Sequence, residues 1–153
     1  PTALIFSRQG IAKLPAGNDY EMARKGAYIV AGSDENPDVI LVASGSEVST
    51  LEAGTEALRK DGIKVRVVSA PSEGLFRRQS AEYQESVLPA NVKKFGMTAG
   101  LPVTLEGLVG IGPNSRIYGM KSFGFSAPYK VLDEKLGYTG ENVYKQVKDF
   151  LKK

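Results

Sequence analysis

Short apolar runs alternate with amphipathic stretches along the chain. Residues 39–43 form an uninterrupted apolar run, which is the pattern of a strand covered on both faces. Residues 47–61 show a helical pattern, because apolar or small side chains recur on one face at Val48, Leu51, Thr55 and Leu58. Residues 63–69 are the next predicted strand. Since the connection holds a whole helix, we expect these two strands to be parallel, with a right-handed crossover.

Capping signals mark both ends of this predicted helix. Ser44 with Glu47 three residues later fits a capping box, and Ser46 is an equally good candidate for the N-cap. Gly62 suits the left-handed position just beyond the last turn. These residues predict where the helix begins and ends.

The rest of the chain predicts three more strands and four more helical segments. The strands are residues 27–31, 92–98 and 115–120, and the helical segments are residues 72–76, 81–88, 128–136 (with Pro128 in the first turn) and 141–152. About half a dozen residues separate the strand at 27–31 from that at 39–43. That is too few for a parallel crossover, so this pair is predicted to be antiparallel. The predicted fold class is α/β: three αβα layers around a mixed, mostly parallel sheet of about five strands, the first strand antiparallel.

The pattern predicts a division of the chain near Arg24. Residues 2–6 resemble the end of a strand, and residues 10–20 have the glycine, proline, Asn18 and Asp19 composition of a linker. We therefore assign residues 1–23 to the end of a preceding domain with its linker, and residues 24–153 to one compact domain. Residues 100–126 are rich in glycine and are predicted to form tight turns and close backbone approaches.

Composition excludes most kinds of catalytic site. The 153 residues include no histidine and no cysteine, so the chain cannot build a Ser-His-Asp or Cys-His site, a thiolate metal site or a disulfide. The formal charge of +3 comes from dispersed basic residues, which do not form a nucleic-acid footprint. No run approaches the ~18 apolar residues of a membrane span. Turn propensity beside Pro37 explains Asp34, Glu35 and Asp38 better than a cation site does.

Three motifs allow a functional and a simpler interpretation. Gly110 and Gly112 suggest dinucleotide binding, but a predicted strand follows them instead of preceding them, so a glycine-rich turn is favoured. Residues 44–47 lie at a helix N-terminus after a buried strand, a position that suits anions, although simple capping is favoured. Packing in the core or at an interface is favoured over nucleic-acid stacking for the aromatic residues Tyr118, Phe123, Phe125 and Tyr129.

Ordered segments along nearly the whole chain resemble one family. They are SRQ at 7–9, PDVILVASGSEV at 37–48, GIKVRVVSAPS at 62–72, LFRRQ at 75–79, EYQESVLP at 82–89, GMKSFGFSAP at 119–128 and GYTGENV at 137–143. In this order and spacing they resemble the C-terminal domain of the thiamine-diphosphate-dependent transketolases, preceded by the tail of their middle domain. Residues 95–102 depart from the acid- and aromatic-bearing segment that the family usually has there, so no role is transferred to them.

The resemblance implies a function for the full enzyme. Transketolases are cytoplasmic homodimers of the pentose phosphate pathway that move a two-carbon ketol unit from a ketose phosphate to an aldose phosphate, using thiamine diphosphate and a divalent cation, Mg²⁺ or Ca²⁺. Their cofactor and catalytic residues belong to the N-terminal and middle domains. The resemblance therefore implies a structural, dimer-supporting role for this chain, with no catalytic, cofactor-binding or metal-binding residue and no nucleic-acid or membrane partner.

One residue matches a family site. Arg8, the arginine of SRQ, corresponds to the residue that binds the sugar phosphate of the substrate. A guanidinium group suits this role because it is a rigid cation with several donors for phosphate oxygens.

Two alternatives remain open at this point. The first is the C-terminal domain of another thiamine-diphosphate enzyme, such as a 1-deoxyxylulose-phosphate synthase or a 2-oxoacid dehydrogenase β subunit, although SRQ and FGFSAP favour transketolase. The second is a freestanding anion- or nucleotide-sensing α/β module that uses residues 44–47.

Overall fold

The protein is described from a computed structural model, which describes residues 9–16, 20–32 and 36–152. Within these ranges the chain forms five strands and seven helices. The strands are β1 (Tyr28–Ala31), β2 (Val39–Ala43), β3 (Val65–Ser69), β4 (Lys93–Met97) and β5 (Ser115–Tyr118). The helices are α1 (Tyr20–Ala23), α2 (Glu47–Lys60), α3 (Glu73–Arg77), α4 (Ala81–Val87), α5 (Val103–Val109), α6 (Tyr129–Leu136) and α7 (Gly140–Leu151).

The five strands form one mixed sheet in the order β1-β3-β2-β4-β5. Strands β2 to β5 are parallel, and β1 runs antiparallel to β3. The central strand β2 is flanked on both sides, since Val39 is the partner of Val65 in β3 and of Lys93 in β4. This sheet confirms the predicted α/β class and the predicted antiparallel first strand.

The two faces of β2 belong to two separate cores. Leu41 packs with residues of α2 and α7, whereas its neighbours Ile40 and Val42 pack with residues of α3, α4 and α5. All five residues of β2 are buried, as expected for a strand with helices over both faces. The sheet therefore has helices on both sides, which confirms the predicted three-layer arrangement.

The partner of β1 differs from the one that the sequence suggested. A short connection pointed to a β1–β2 pair, but β1 is hydrogen-bonded to β3, which lies between them. The rule on connection length determines the direction of a strand and not its neighbour. Strand β2 already pairs with two parallel strands over its full length, so β1 takes the outer side of β3. At Gly32, which has a φ of +67°, a Cβ atom would clash with the carbonyl oxygen of Val65 at the start of β3.

Helix α2 begins at Glu47 and buries the predicted face. Ser46, one of the two predicted N-cap candidates, occupies the N-cap without a capping hydrogen bond from its side chain, so the alternative capping box of Ser44 and Glu47 is wrong. The C-terminus is as predicted: Gly62 has a φ of +79°, and the N–H of Ile63 donates to the carbonyl of Leu58 in a Schellman arrangement.

Helix α5 is missing from the sequence prediction. Its region was assigned to turns because Gly100, Gly107 and Gly110 dominate it, yet residues 103–109 are helical. The helix is stabilised by packing rather than by intrinsic propensity, since Leu105, Leu108 and Val109 are buried against the sheet. A smaller difference lies at α6, where Pro128 is the N-cap rather than the first helical residue.

Helices α2 and α7 lie against each other over one face of the sheet, and we call their contact the α2–α7 seam. Gly54 and Gly140 allow a close approach: a Cβ atom on Gly54 would lie 2.7 Å from Cγ1 of Val143, and one on Gly140 would lie 2.8 Å from the carbonyl carbon of Ala53. At the edge of the seam, the Asp61 carboxylate accepts hydrogen bonds from the hydroxyl of Tyr144 (2.8 Å) and from Nζ of Lys148 (2.6 Å). Within the described part of the chain, every helix is too short or too polar to cross a membrane.

Candidate functional site

A cleft of about 660 Å³ lies beyond the carboxyl ends of β2, β4 and β5, and we call it the cleft. The next strand after β2 in the chain, β3, lies on one side of β2, and the strand after that, β4, lies on its other side. The strand order therefore reverses between β2 and β4. In open α/β sheets, ligands and partners bind at such a switch point. The cleft therefore lies where this fold places its functional sites.

Tyr138 forms part of the floor of the cleft, and Tyr118 packs against it. The Tyr138 hydroxyl donates to the carbonyl of Thr98, 2.9 Å away, and the Tyr118 hydroxyl donates to the carbonyl of Leu136, 2.7 Å away. Their rings meet edge to face, with centroids 5.7 Å apart. These contacts join the end of β4, the end of β5 and the α6–α7 connection into one ordered surface.

The environment of Tyr138 strongly disfavours its phenolate form. Burial, the neighbouring Tyr118 and the carboxylate of Glu47 together raise the pKa of Tyr138 to about 12. The hydroxyl therefore stays protonated at neutral pH and acts as a hydrogen-bond donor to Thr98. It is a structural group and not a proton-transfer base.

Glu47 places a carboxylate in the wall of the cleft, in the first turn of α2. It accepts a hydrogen bond from the Ser46 hydroxyl (2.7 Å) and one from the N–H of Ala99 beyond β4 (3.4 Å). The N–H groups of Val48 and Ser49 already donate to the carbonyls of residues 45 and 46. A negative charge and satisfied donors at this helix N-terminus count against the anion-binding alternative for residues 44–47.

The rim of the cleft is apolar and exposed. Five large apolar side chains that line the cleft are exposed, and we call them the aromatic rim: Ile11, Leu101, Phe123, Phe125 and Tyr129. Phe123 is 94% exposed and Phe125 is 62% exposed. The sequence analysis predicted the same role, packing in the core or at an interface, for both phenylalanines and for Tyr118. The structure separates them, because Tyr118 is half-buried behind Tyr138, whereas the two phenylalanines line the cleft and are exposed.

The described lining of the cleft carries negative and no positive charge. Its charged lining residues, among those that the structure describes, are Glu47 and Asp133. Burial raises the pKa of the Asp133 carboxyl above its ordinary value. The buried cations Arg66 and Lys94 lie elsewhere, where they donate to carbonyls in and beyond the last turn of α4. The described lining of the cleft therefore does not suit a phosphate group.

The candidate substrate residue, Arg8, lies outside the described residues, as do Asp34 and Glu35. Asp38 is described, and its carboxylate accepts a hydrogen bond from the N–H of Lys64 at 2.8 Å, which fits the predicted turn role. Among the described residues, no group of three or more acidic, histidine or cysteine side chains is placed to hold a metal ion.

The glycines at 110 and 112 form the predicted turn. They connect α5 to β5, so a helix precedes them and a strand follows them. Gly110 has a φ of +87°, which suits the C-terminus of a helix. The strand–turn–helix context of a dinucleotide site is missing at this position.

Sequence reasoning missed the cleft as a whole. It considered residues 44–47 alone, whereas the cleft is assembled from the start of α2, the ends of β4 and β5, and α6. One signal was available. Polar or glycine residues follow each of the predicted strands β2, β4 and β5, and carboxyl ends of parallel strands meet at one edge of a sheet.

Comparison with known proteins agrees with the fold. The sequence pattern of a family described as "Transketolase-like TK C-terminal domain" matches residues 26–139. Transketolase 1 of Vibrio cholerae is 45% identical over 153 residues, which are 99% of this chain and 23% of that protein. The structure of the Leishmania mexicana transketolase is 36% identical, with a TM-score of 0.78 over 90% of this chain and 19% of that one. A Pichia stipitis transketolase complex with sedoheptulose-7-phosphate is 31% identical, with a TM-score of 0.82 over 94% of this chain and 20% of that one.

These relatives define the family and the extent of the match. The chain spans about a quarter of the length of the curated relative that it matches. Its sheet order, its antiparallel first strand and its helices agree with the solved relatives along most of the chain. The chain belongs to the transketolase-like C-terminal domain family.

Proposed function

We propose that this chain is the C-terminal domain of a transketolase and that it supports an active site formed by the rest of the enzyme. The full enzyme transfers a two-carbon ketol unit from a ketose phosphate to an aldose phosphate. The observation that carries this proposal is a match to transketolase along 99% of this chain, whose cleft has no cation for a phosphate group among the described lining residues. In this proposal residues 1–23 are the end of the preceding middle domain with its linker, and residues 24–153 are the C-terminal domain.

Thiamine diphosphate and its divalent cation do not fit the described part of this chain. A diphosphate needs cationic or N–H donors together with oxygen ligands for the metal. Among the described residues, the cleft offers carboxylates at Glu47 and Asp133 without a basic lining residue, and no cluster of acidic side chains is placed for a metal. We therefore assign both groups to the other domains of the enzyme.

The role proposed for this chain in substrate binding rests on Arg8. Its guanidinium group would bind the phosphate of the sugar through paired, charge-assisted hydrogen bonds. The related Pichia stipitis enzyme has been crystallised with sedoheptulose-7-phosphate, a sugar phosphate of the kind this role requires. We further propose that the enzyme is a cytoplasmic homodimer of the pentose phosphate pathway, which is compatible with a chain without cysteine.

The substrate role is tested in the full-length enzyme with Arg8→Ala. Loss of a charge-assisted phosphate contact worth about 1.5–3 kcal/mol is expected to raise KM for the sugar phosphate roughly 10- to 100-fold. Arg24→Ala is the matched control, because Arg24 is an exposed arginine paired with Glu21 at 3.3 Å, and it is expected to leave KM unchanged. Equal KM values for Arg8→Ala and wild type would refute the role of Arg8.

The support role is tested with the 153-residue chain alone. Titration calorimetry with thiamine diphosphate and Mg²⁺ is expected to show no binding, and the chain is expected to transfer no ketol units. Micromolar binding of the cofactor to this chain would contradict the assignment of the cofactor to other domains.

A further inference from the structure

Exposed apolar side chains are concentrated at one edge of the sheet. The aromatic rim (Ile11, Leu101, Phe123, Phe125 and Tyr129) borders the cleft. A phenylalanine buries about 150–250 Å² when it is covered, so two exposed phenylalanines in one loop leave a large apolar area in water. A contiguous patch of this kind marks an interaction surface.

The shape of the rim suits a macromolecule better than a small molecule. A pocket for a small ligand encloses most of the ligand surface within side chains. Phe123 lines the cleft but is 94% exposed, so its ring would enclose little of a small ligand. Projecting aromatic side chains with a concave floor behind them are instead typical anchors of a protein interface.

The course of the chain indicates which protein segment covers the rim. Gln9, Gly10 and Ile11 line the cleft, so the point at which a preceding domain is tethered lies at this surface. The curated relative is about four times as long as this chain, which covers only 23% of it. A domain tethered at Gln9 has a high effective concentration at the cleft, and this favours docking within one polypeptide.

The charges of the cleft define what the docking segment must present. Glu47 is held in place by the Ser46 hydroxyl and the Ala99 N–H, and Asp133 also lines the cleft. Since no described lining residue is basic, a lysine, an arginine or free backbone N–H groups of the docking segment would complement these carboxylates. The surface therefore fits an apolar segment that carries a donor or a positive charge.

We propose that the cleft is the docking site for the domain that precedes Gln9 in the same polypeptide, with Phe123 and Phe125 as apolar anchors and Glu47 and Asp133 facing a donor or cation. This proposal rests on the proposed function, because that function supplies the preceding domain. An inter-domain contact of ordinary size, about 600–1,500 Å², covers the rim. The contact fixes the C-terminal domain relative to the domain that carries Arg8.

Photo-crosslinking in the full-length enzyme tests which segment occupies the cleft. A photoreactive benzoylphenylalanine replaces Phe123, and the product is analysed by denaturing electrophoresis and peptide mass spectrometry. We expect an intrachain crosslink that keeps the mass of a single polypeptide and joins position 123 to a segment before Gln9. The control places the same group at Ile111, which is 83% exposed in the turn at the amino end of β5, and is expected to give no such product.

Three crosslinking results would overturn the proposal. A product of doubled mass would assign the surface to a second copy of the polypeptide. A crosslink confined to residues 9–152 would show that the loop contacts only the C-terminal domain and its linker. No crosslink from position 123 would show that the rim stays in water.

A double substitution tests whether the anchors hold the domains together. The Phe123→Ser and Phe125→Ser enzyme is expected to release its C-terminal domain to limited proteolysis at least ~10-fold faster than the wild type, because the rim no longer docks. Ile111→Ser is the matched control and is expected to behave like the wild type. The 153-residue chain with the same double substitution should keep its thermal midpoint, since both side chains are exposed in it. Equal proteolysis of all three enzymes would contradict the anchor role.

The two proposals fail separately. A full-length enzyme that gives the intrachain crosslink but transfers no ketol unit would refute the proposed function and leave the docking intact. An active enzyme without that crosslink would refute the docking and leave the proposed function intact.

Discussion

The α2–α7 seam and the cleft share helix α2 but differ in the exposure of their apolar side chains. At the seam, Leu51 and Val143 are fully buried and two glycines let the helices approach closely. At the cleft, one turn before Leu51, the lining residues of α2 are polar, and the five apolar residues of the aromatic rim are exposed. One region has its apolar surface covered within this chain, and the other presents it to water.

The difference separates residues that hold the domain together from residues available to a partner. Burial at the seam removes apolar surface from water within this chain, so changes there act on the free energy of unfolding. The aromatic rim makes few contacts in the folded domain, so changes there leave unfolding almost unaffected and act on assembly. Four pairs of substitutions test this separation.

The largest effect is expected from a pair of leucines. Leu51→Ala creates a cavity at the seam and is expected to lower the free energy of unfolding by about 2–5 kcal/mol. Leu101→Ala removes a side chain that is 56% exposed at the rim and is expected to change it by less than about 0.5 kcal/mol. Urea denaturation of the 153-residue chain measures both. Similar losses for the two variants would remove the distinction between seam and rim.

A pair of helical glycines tests the close approach at the seam. Gly54→Ala adds a Cβ atom 2.7 Å from Cγ1 of Val143 and 2.9 Å from the carbonyl oxygen of Gly140, so backbone must move. Gly74→Ala in α3 adds a Cβ atom with no heavy atom within 4 Å. Both changes gain helix propensity, but overpacking costs about 1–3 kcal/mol and applies at Gly54 alone. We expect Gly54→Ala to be the less stable variant by about 2 kcal/mol in denaturant titration, and the reverse order would show that the seam is loosely packed.

The floor of the cleft is tested with Tyr138→Phe. The variant loses the hydrogen bond to Thr98, which is expected to cost about 1 kcal/mol at neutral pH. The pKa of Tyr138 is about 12 in the folded protein, against an ordinary value of 10.0. Between these values the unfolded state releases this proton first, so the wild type loses stability as the pH rises through this window.

The variant lacks that contribution, so the advantage of the wild type is expected to shrink toward alkaline pH. Unfolding curves at neutral and alkaline pH measure it, and an absorbance titration of the phenolates should lose its latest step in the variant. Tyr129→Phe, at the rim, is the control for stability and is expected to be neutral. An advantage that stays constant to pH 12 would show that Tyr138 titrates as an ordinary tyrosine.

The seam was largely predictable from the sequence because its signals are local. A helical period marks the buried face of α2, and Val143, Val147 and Phe150 repeat it in α7. The burial of all of β2 follows in the same way from five consecutive apolar residues. Each of these patterns lies within one element, so no knowledge of the neighbours was needed.

The cleft was not predictable because its parts come together only through the strand order. Glu47 and Ala99 are 52 positions apart and meet because β2 and β4 are neighbours, an order that periodicity does not specify. The strand predicted to pair with β1 was wrong for the same reason. Helix α5 was missed because its glycines indicated turns more strongly than its few apolar residues indicated a helical period. The role of Arg8 stays a prediction because Arg8 lies outside the described residues.

The smallest effect is expected from the charge at the edge of the seam. Hydrogen bonds from Lys148 and Tyr144 hold the pKa of the Asp61 carboxyl below its ordinary value of 3.8. Its contribution to stability is therefore present above pH 3.8 and is lost as the pH falls through the lower folded-state pKa. Asp61→Asn is expected to be slightly less stable than wild type at neutral pH and equally stable in acid, and added salt should reduce the difference.

The matched control is Glu141→Gln, which removes a carboxylate at the same 2.6 Å from a lysine but within α7 alone. Because Asp61 joins two helices, its substitution is expected to shift the urea midpoint further than that of Glu141, and equal shifts would mean that this ion pair does not stabilise the seam.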